Sequence, residues 1–204
     1  MRHVISKGKV CVDLEEPTAL NSTDRKRTVS FLPEQLFVLL AVVWVDFNNW
    51  GFMSNLLPFC MKNSTSSVSE SSVYLSYALQ LSSVCLVIGD LSTYFITIPI
   101  MVCLVLFTSI AVSIYASACG LILFEEMGPV FVCLFGFGRF LESHLTTSVF
   151  NYISIRMPAS MREDAIRFLG LADMIAVTLG VSISAVIVNL YFPCATASAD
   201  DYLG

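Results

Sequence analysis

The run LFVLLAVVWVDFNNWGFMSNLLPF occupies residues 36–59. It exceeds the roughly 20 apolar residues that one helix needs to cross a lipid bilayer. Inside hydrocarbon every backbone N–H and C=O must find a partner, which only helices and closed barrels provide. Barrel strands alternate apolar and polar side chains. Here the apolar residues are continuous, so the run predicts a membrane-spanning helix and an all-α fold.

The rest of the chain repeats this pattern. Of its 204 residues 56% are hydrophobic and only 13% charged, with a mean hydropathy of +0.77. A soluble domain carries about a quarter charged residues, and one of this size still exposes much of its surface. Lipid must therefore be the solvent over much of the chain. Four further apolar stretches follow, at about 73–88, 94–124, 130–153 and 168–192. The expectation is a polytopic bundle of about five transmembrane helices within residues 34–194. A flexible cytosolic tail (1–33) precedes it and a short outer tail (195–204) follows. No apolar run ending in small residues opens the chain, so the first helix is expected to act as its own insertion signal. The stretch 94–124 is longer than a bilayer needs and is expected to tilt or protrude. Residues 156–167, which include Pro158, read as a charged connection, and 125–129 as a turn.

Basic residues set the expected orientation. Nine of the eleven Lys and Arg lie in the N-terminal tail or between Arg156 and Arg167. Five helices put both segments on one side, which the positive-inside rule makes cytoplasmic. The C-terminus is then extracellular in a plasma-membrane protein. Asn63-Ser64-Thr65 is a glycosylation sequon in the expected outer loop; Asn21-Ser22-Thr23 is another, kept in the cytosol by this topology. Cys60, Cys119 and Cys194 fall near the oxidising face. A Cys119–Cys194 disulfide is one expectation and reduced thiols in packed helix ends the other. The seven cysteines include no CxxC pair and none lies near His at ligand spacing, so no metal site is expected. No basic patch with interleaved aromatics points to nucleic acid.

Ionisable residues at membrane depth are the sharpest local signal. Asp46 lies mid-way along the first stretch, and Arg139 and Glu142 mid-way along the fourth. Each costs at least ~2.5 kcal/mol on insertion scales and should face protein or water. Their three-residue spacing puts Arg139 and Glu142 on one helix face, with His144 turned partly away. The set reads either as a structural ion pair or as a polar site on a substrate path. Around Asp46, the sequence Trp44-Val45-Asp46-Phe47-Asn48-Asn49-Trp50-Gly51 offers amides for the edges of a polar heterocycle and indoles for its faces. The alternative is helix–helix glue. Candidate substrate-binding residues are thus Asp46, Asn48, Asn49, Trp50, Arg139 and Glu142. Asp173, near Arg167, reads as a solvated end group with a proton relay as the alternative, and Asp90 as a solvated end group. Gly170, Gly180, Ser182 and Ser184 make a small-residue face, and Gly136 and Gly138 a packing pair. There is no nucleophile elbow, zincin motif, P-loop or dinucleotide fingerprint, so neither an enzyme nor a cofactor is expected.

The segment Asn49-Trp50-Gly51-Phe52-Met53-Ser54 with Cys60 is similar to the first helix in the C-terminal half of eukaryotic riboflavin transporters. Tyr74 to Leu81-Ser82 and Ile114-Tyr115-Ala116-Ser117-Ala118-Cys119 resemble the helices that follow, and Cys194 fits a Cys-bearing outer tail. The family's Asn-Gly pair reads Asn49-Trp50-Gly51 here, and its lysine in the next-to-last helix is unmatched around Ser143-His144-Leu145-Thr146. The resemblance implies one half of a major-facilitator-like solute carrier. It implies uptake of riboflavin, or a similar small polar heterocycle, through the lipid bilayer, together with a complementary N-terminal half or a second copy. The alternatives are half of another carrier, such as a nucleoside transporter, and a non-transporting membrane adaptor.

Overall fold

The computed structural model describes residues 31–121 and 126–191. Among them all regular structure is helical: α1 (Pro33–Asp46), a π-helical segment (Phe47–Met53), α2 (Ser54–Asn63), α3 (Val68–Ser92), α4 (Ile100–Ala118), α5 (Gly128–Arg156) and α6 (Ala159–Tyr191). The first three run on as one rod of 31 residues, Pro33–Asn63. This rod, α3, α4 and α6 are each long and apolar enough to cross a membrane. The protein is therefore an all-α polytopic helix bundle, as its composition demands. The rest of the expected tails, the Asn21 sequon, Glu125, Cys11 and Cys194 lie outside the described residues.

The ends of the helices follow local chemistry. Pro33 occupies the first turn of α1, where its missing N–H is no loss, and the Gln35 side chain accepts from the Leu32 N–H at 3.0 Å. Ser67 caps α3 by accepting from the Glu70 N–H. The expected single stretch 94–124 is shorter than its hydropathy suggests. Its helix covers only Ile100–Ala118. Pro99 holds the preceding residue extended, and Gly120, at φ 67°, ends α4. There the Leu121 N–H reaches the Ala116 carbonyl (2.9 Å) and the Gly120 N–H that of Ser117 (3.0 Å), the paired bonds of a Schellman stop. The expected charged connection 156–167 is also corrected. Only Met157 and Pro158 break the chain, and α6 starts at Ala159. Ala165 and Leu169 explain this, because both are buried against Val38, Leu39, Val149 and Ile153.

α5 is the axis of the bundle, and α3 lies along it. Glycines permit the close approach. A side chain on Gly136 would meet Leu81, and one on Gly89 would meet the Phe140 carbonyl oxygen. Gly138 sits against Met53. The expected Gly136–Gly138 packing pair is therefore real, although its partners lie on different rods. α6 packs instead on the first rod. Gly51 and Gly180 face each other there, with an added Cβ on Gly51 only 2.6 Å from the Gly180 Cα. The small-residue face expected on α6 thus works through Gly180 and the buried Ser184. Gly170 has open space around it, and Ser182 is exposed. The core is the zone where α2, α4 and α5 meet: Met53, Leu57, Phe107, Ile114, Phe131 and Leu141.

Candidate functional site

The polar cluster of the first rod coincides with its π-helical segment. Such wide turns leave carbonyls without their usual partner. Here Ser54 Oγ donates to the Asn49 carbonyl (2.9 Å) and Asn55 Nδ2 to that of Gly51 (2.8 Å). The widened backbone turns both Asn48 and Asn49 into the protein, where they are buried. Asn48 donates to the Trp44 carbonyl (2.7 Å) and accepts from the Tyr115 hydroxyl (3.0 Å). Asn49 is fully buried, and its Nδ2 donates to Glu142 Oε2 at 2.5 Å.

Glu142 is the meeting point. The same Oε2 lies 2.9 Å from Arg139 Nη1, with both side chains 6% exposed. That nitrogen's hydrogens are not aligned on the oxygen, so the contact is an ion pair rather than a directed hydrogen bond. The guanidinium carbon sits 4.3 Å from the centre of the Trp50 ring, a cation–π contact. Trp50 is itself half exposed and covers the buried pair from outside. Asp46 interacts with Glu142 as well, and with Asp173 of α6. The structure therefore brings Asp46, Asn49, Trp50, Arg139 and Glu142 together, with Asn48 one residue away on the Tyr115 side.

Several polar atoms in this zone are buried without a hydrogen-bond partner: Asn49 Oδ1, Arg139 Nε, Thr146 Oγ1 and Asp173 Oδ1. Buried groups are normally satisfied, and each exception calls for a reason. His144 stands apart. Its Nδ1 is 2.6 Å from Ser92 Oγ on α3, so it does turn away from Glu142. Beside it Ser143 and Thr147 both donate to Asp90. Asp90 is thus a tie between α3 and α5 rather than a free end group. Asp173, read from sequence as a solvated end, faces Asp46 because α6 begins nine residues before the expected Phe168. Thr146 carried no signal of a site in the sequence beyond being polar in an apolar run.

At the far end of the rod, Asn63 Nδ2 donates to the carbonyls of Ser117 (2.8 Å) and Ala118 (3.0 Å). The nitrogen that a glycan would take already serves as a side-chain cap for α4. Among the described residues Cys60, Cys85, Cys103, Cys119 and Cys133 are free thiols, and no group of three or more His, Cys, Asp or Glu is arranged to hold a metal.

Protein-family models, curated proteins and solved structures contain no match to this chain.

Proposed function

We propose that this chain is one helical bundle of a solute carrier that moves a small polar heterocycle, riboflavin or a relative, across the plasma membrane without covalent chemistry. One observation carries the reading: unfilled hydrogen-bonding groups of both kinds flank the buried Glu142. Asn49 Oδ1 is an unused acceptor and Arg139 Nε an unused donor, on side chains that share one carboxylate oxygen. A heterocycle with neighbouring ring N–H and C=O groups offers the complementary set. Trp50, half exposed beside them, offers an aromatic face. A mostly apolar wall with a few convergent polar groups suits a small ligand. The π-helical segment supports the same reading, because such segments recur at functional sites.

Carriers of this kind pair two bundles around a site near the bilayer midplane. The polar cluster lies mid-way along its helices, and a second wall is supplied by a complementary half or a second copy. The Lys and Arg distribution supports a cytoplasmic N-terminus, and with α5 crossing as a fifth helix beside the four apolar ones the C-terminus lies outside. Radiolabelled riboflavin uptake into cells tests the proposal, with the chain at the surface alone and beside a separately expressed N-terminal half. Uptake above mock in either arm, lost in Arg139→Gln and Asn49→Ala, is expected. Uptake equal to mock in both arms rejects it.

A second reading, a non-transporting membrane adaptor, is favoured by the double engagement of Glu142 by Asn49 and Arg139, which suffices to lock two helices. It predicts no uptake in either arm and partner binding that survives Asn49→Ala.

A further inference from the structure

Beside the Glu142 cluster, α1, α5 and α6 line a half-open cavity of about 240 Å³. Asp46 and Asp173 enter it from opposite helices and Thr146 from α5, while Val42, Phe150 and Leu169 make apolar walls. The two aspartates lie within interaction range of each other, and Asp46 also reaches Glu142. The charged groups facing Asp46 are thus Glu142 and Arg139 from α5 and Asp173 from α6. Among the described residues Arg139 is the one cation facing these three carboxyls, and it is already placed on Glu142. His144 gives no help, since it points to Ser92 on α3.

Like charges this close in a partly buried cleft are stabilised by a compensating positive charge. The buried, unpartnered oxygens mark where it belongs. Two of these oxygens, on Asp173 and Thr146, line the cavity itself without a hydrogen-bond partner. The fully buried Asn49 leaves its Oδ1 unused beside the carboxylate that Asp46 meets.

We propose that Asp46 and Asp173 together hold one monovalent cation in this cavity, a proton shared between the carboxyls or a sodium ion, and that the bound charge closes α1 onto α6. The site stands whether or not the chain transports a heterocycle.

Thermal unfolding of the purified full chain in detergent tests this in two arms. In one, sodium chloride replaces choline chloride at constant ionic strength and fixed pH. In the other, pH falls in choline alone. Cation binding is expected to raise Tm by about 2–4 °C for a chain of this size. The rise should be absent in both Asp46→Asn and Asp173→Asn. A rise confined to the sodium arm identifies sodium, and one confined to the acid arm identifies the proton. Wild type and both variants responding alike in both arms overturns the site. Should a variant not fold, labelling of wild type by an apolar carbodiimide, read by mass spectrometry at Asp46 and Asp173, decides instead. Labelling that changes with sodium or pH supports the site, and labelling indifferent to both removes it.

Discussion

α5 and α6 are the two longest helices, 29 and 33 residues, and they are opposites. α5 carries Arg139, Glu142 and His144, is not apolar enough to rank among the candidate membrane spans, and forms the buried axis of the bundle. α6 is among the most apolar helices, yet Leu171, Met174, Leu179 and Leu190 on it are exposed. In water the apolar helix would be the core. In lipid the apolar surface is already solvated, and polar side chains are what must be hidden. The contrast is itself evidence that this bundle is built for a bilayer.

Breaking the axis should have the largest effect. Arg139→Leu leaves the buried Glu142 charge without its cation, and a loss of about 3–5 kcal/mol is expected. Replacing Arg139 and Glu142 together by Met and Leu should recover most of it, as read by reversible unfolding in mixed micelles. Next, Leu141→Ala in the core of α5 should lose about 2–5 kcal/mol. Leu179→Ala, on the outer face of α6, should stay within about 0.5 kcal/mol in the same assay. Equal losses at the two leucines would mean that the outer face of α6 is covered by protein rather than lipid.

Glycines sharpen the contrast within α6. Gly180→Ala drives a methyl group against the Gly51 Cα and the Phe47 carbonyl, so about 1–3 kcal/mol should be lost. Gly170→Ala meets nothing within 4 Å and should be neutral or stabilising by up to about 1 kcal/mol, the helix-propensity difference. The smallest effect belongs to Arg167→Ala. Its pair with Glu163 is 2.6 Å long with both side chains about three-quarters exposed, and a change below about 1 kcal/mol is expected. Thermal unfolding of the three variants side by side gives the ranking.

Much of this was legible in the sequence. Continuous apolar runs gave the fold class, and intramembrane charge pointed to Asp46, Arg139 and Glu142, which do converge. Helix ends were read less well. Hydropathy carried the third stretch through Pro99 and Gly120, where backbone chemistry stops the helix. It also began the last stretch only at Phe168, because charged side chains on the first turns of α6 look like loop. That error hid Asp173: once α6 is extended, this residue comes level with Asp46. The π-helical segment was illegible because its wide turns, where Ser54 and Asn55 bond to carbonyls, leave no periodicity to read.

The π-helical segment has a rotational consequence. Successive α-helical residues turn by about 100° around the axis, so one residue absorbed in wide turns resets the phase of all that follows. Phe47–Met53 thereby acts as a coupling between two shafts, α1 and α2. With the segment in place, Leu56, Leu57 and Cys60 point inward while Asn55 and Pro58 point out. Drawing it back to regular α-helix would swing α2 by about that same angle and carry Asn55 toward the core. The polar segment at the middle of the rod thus fixes which face its far end, ten residues on at Asn63, presents to α4.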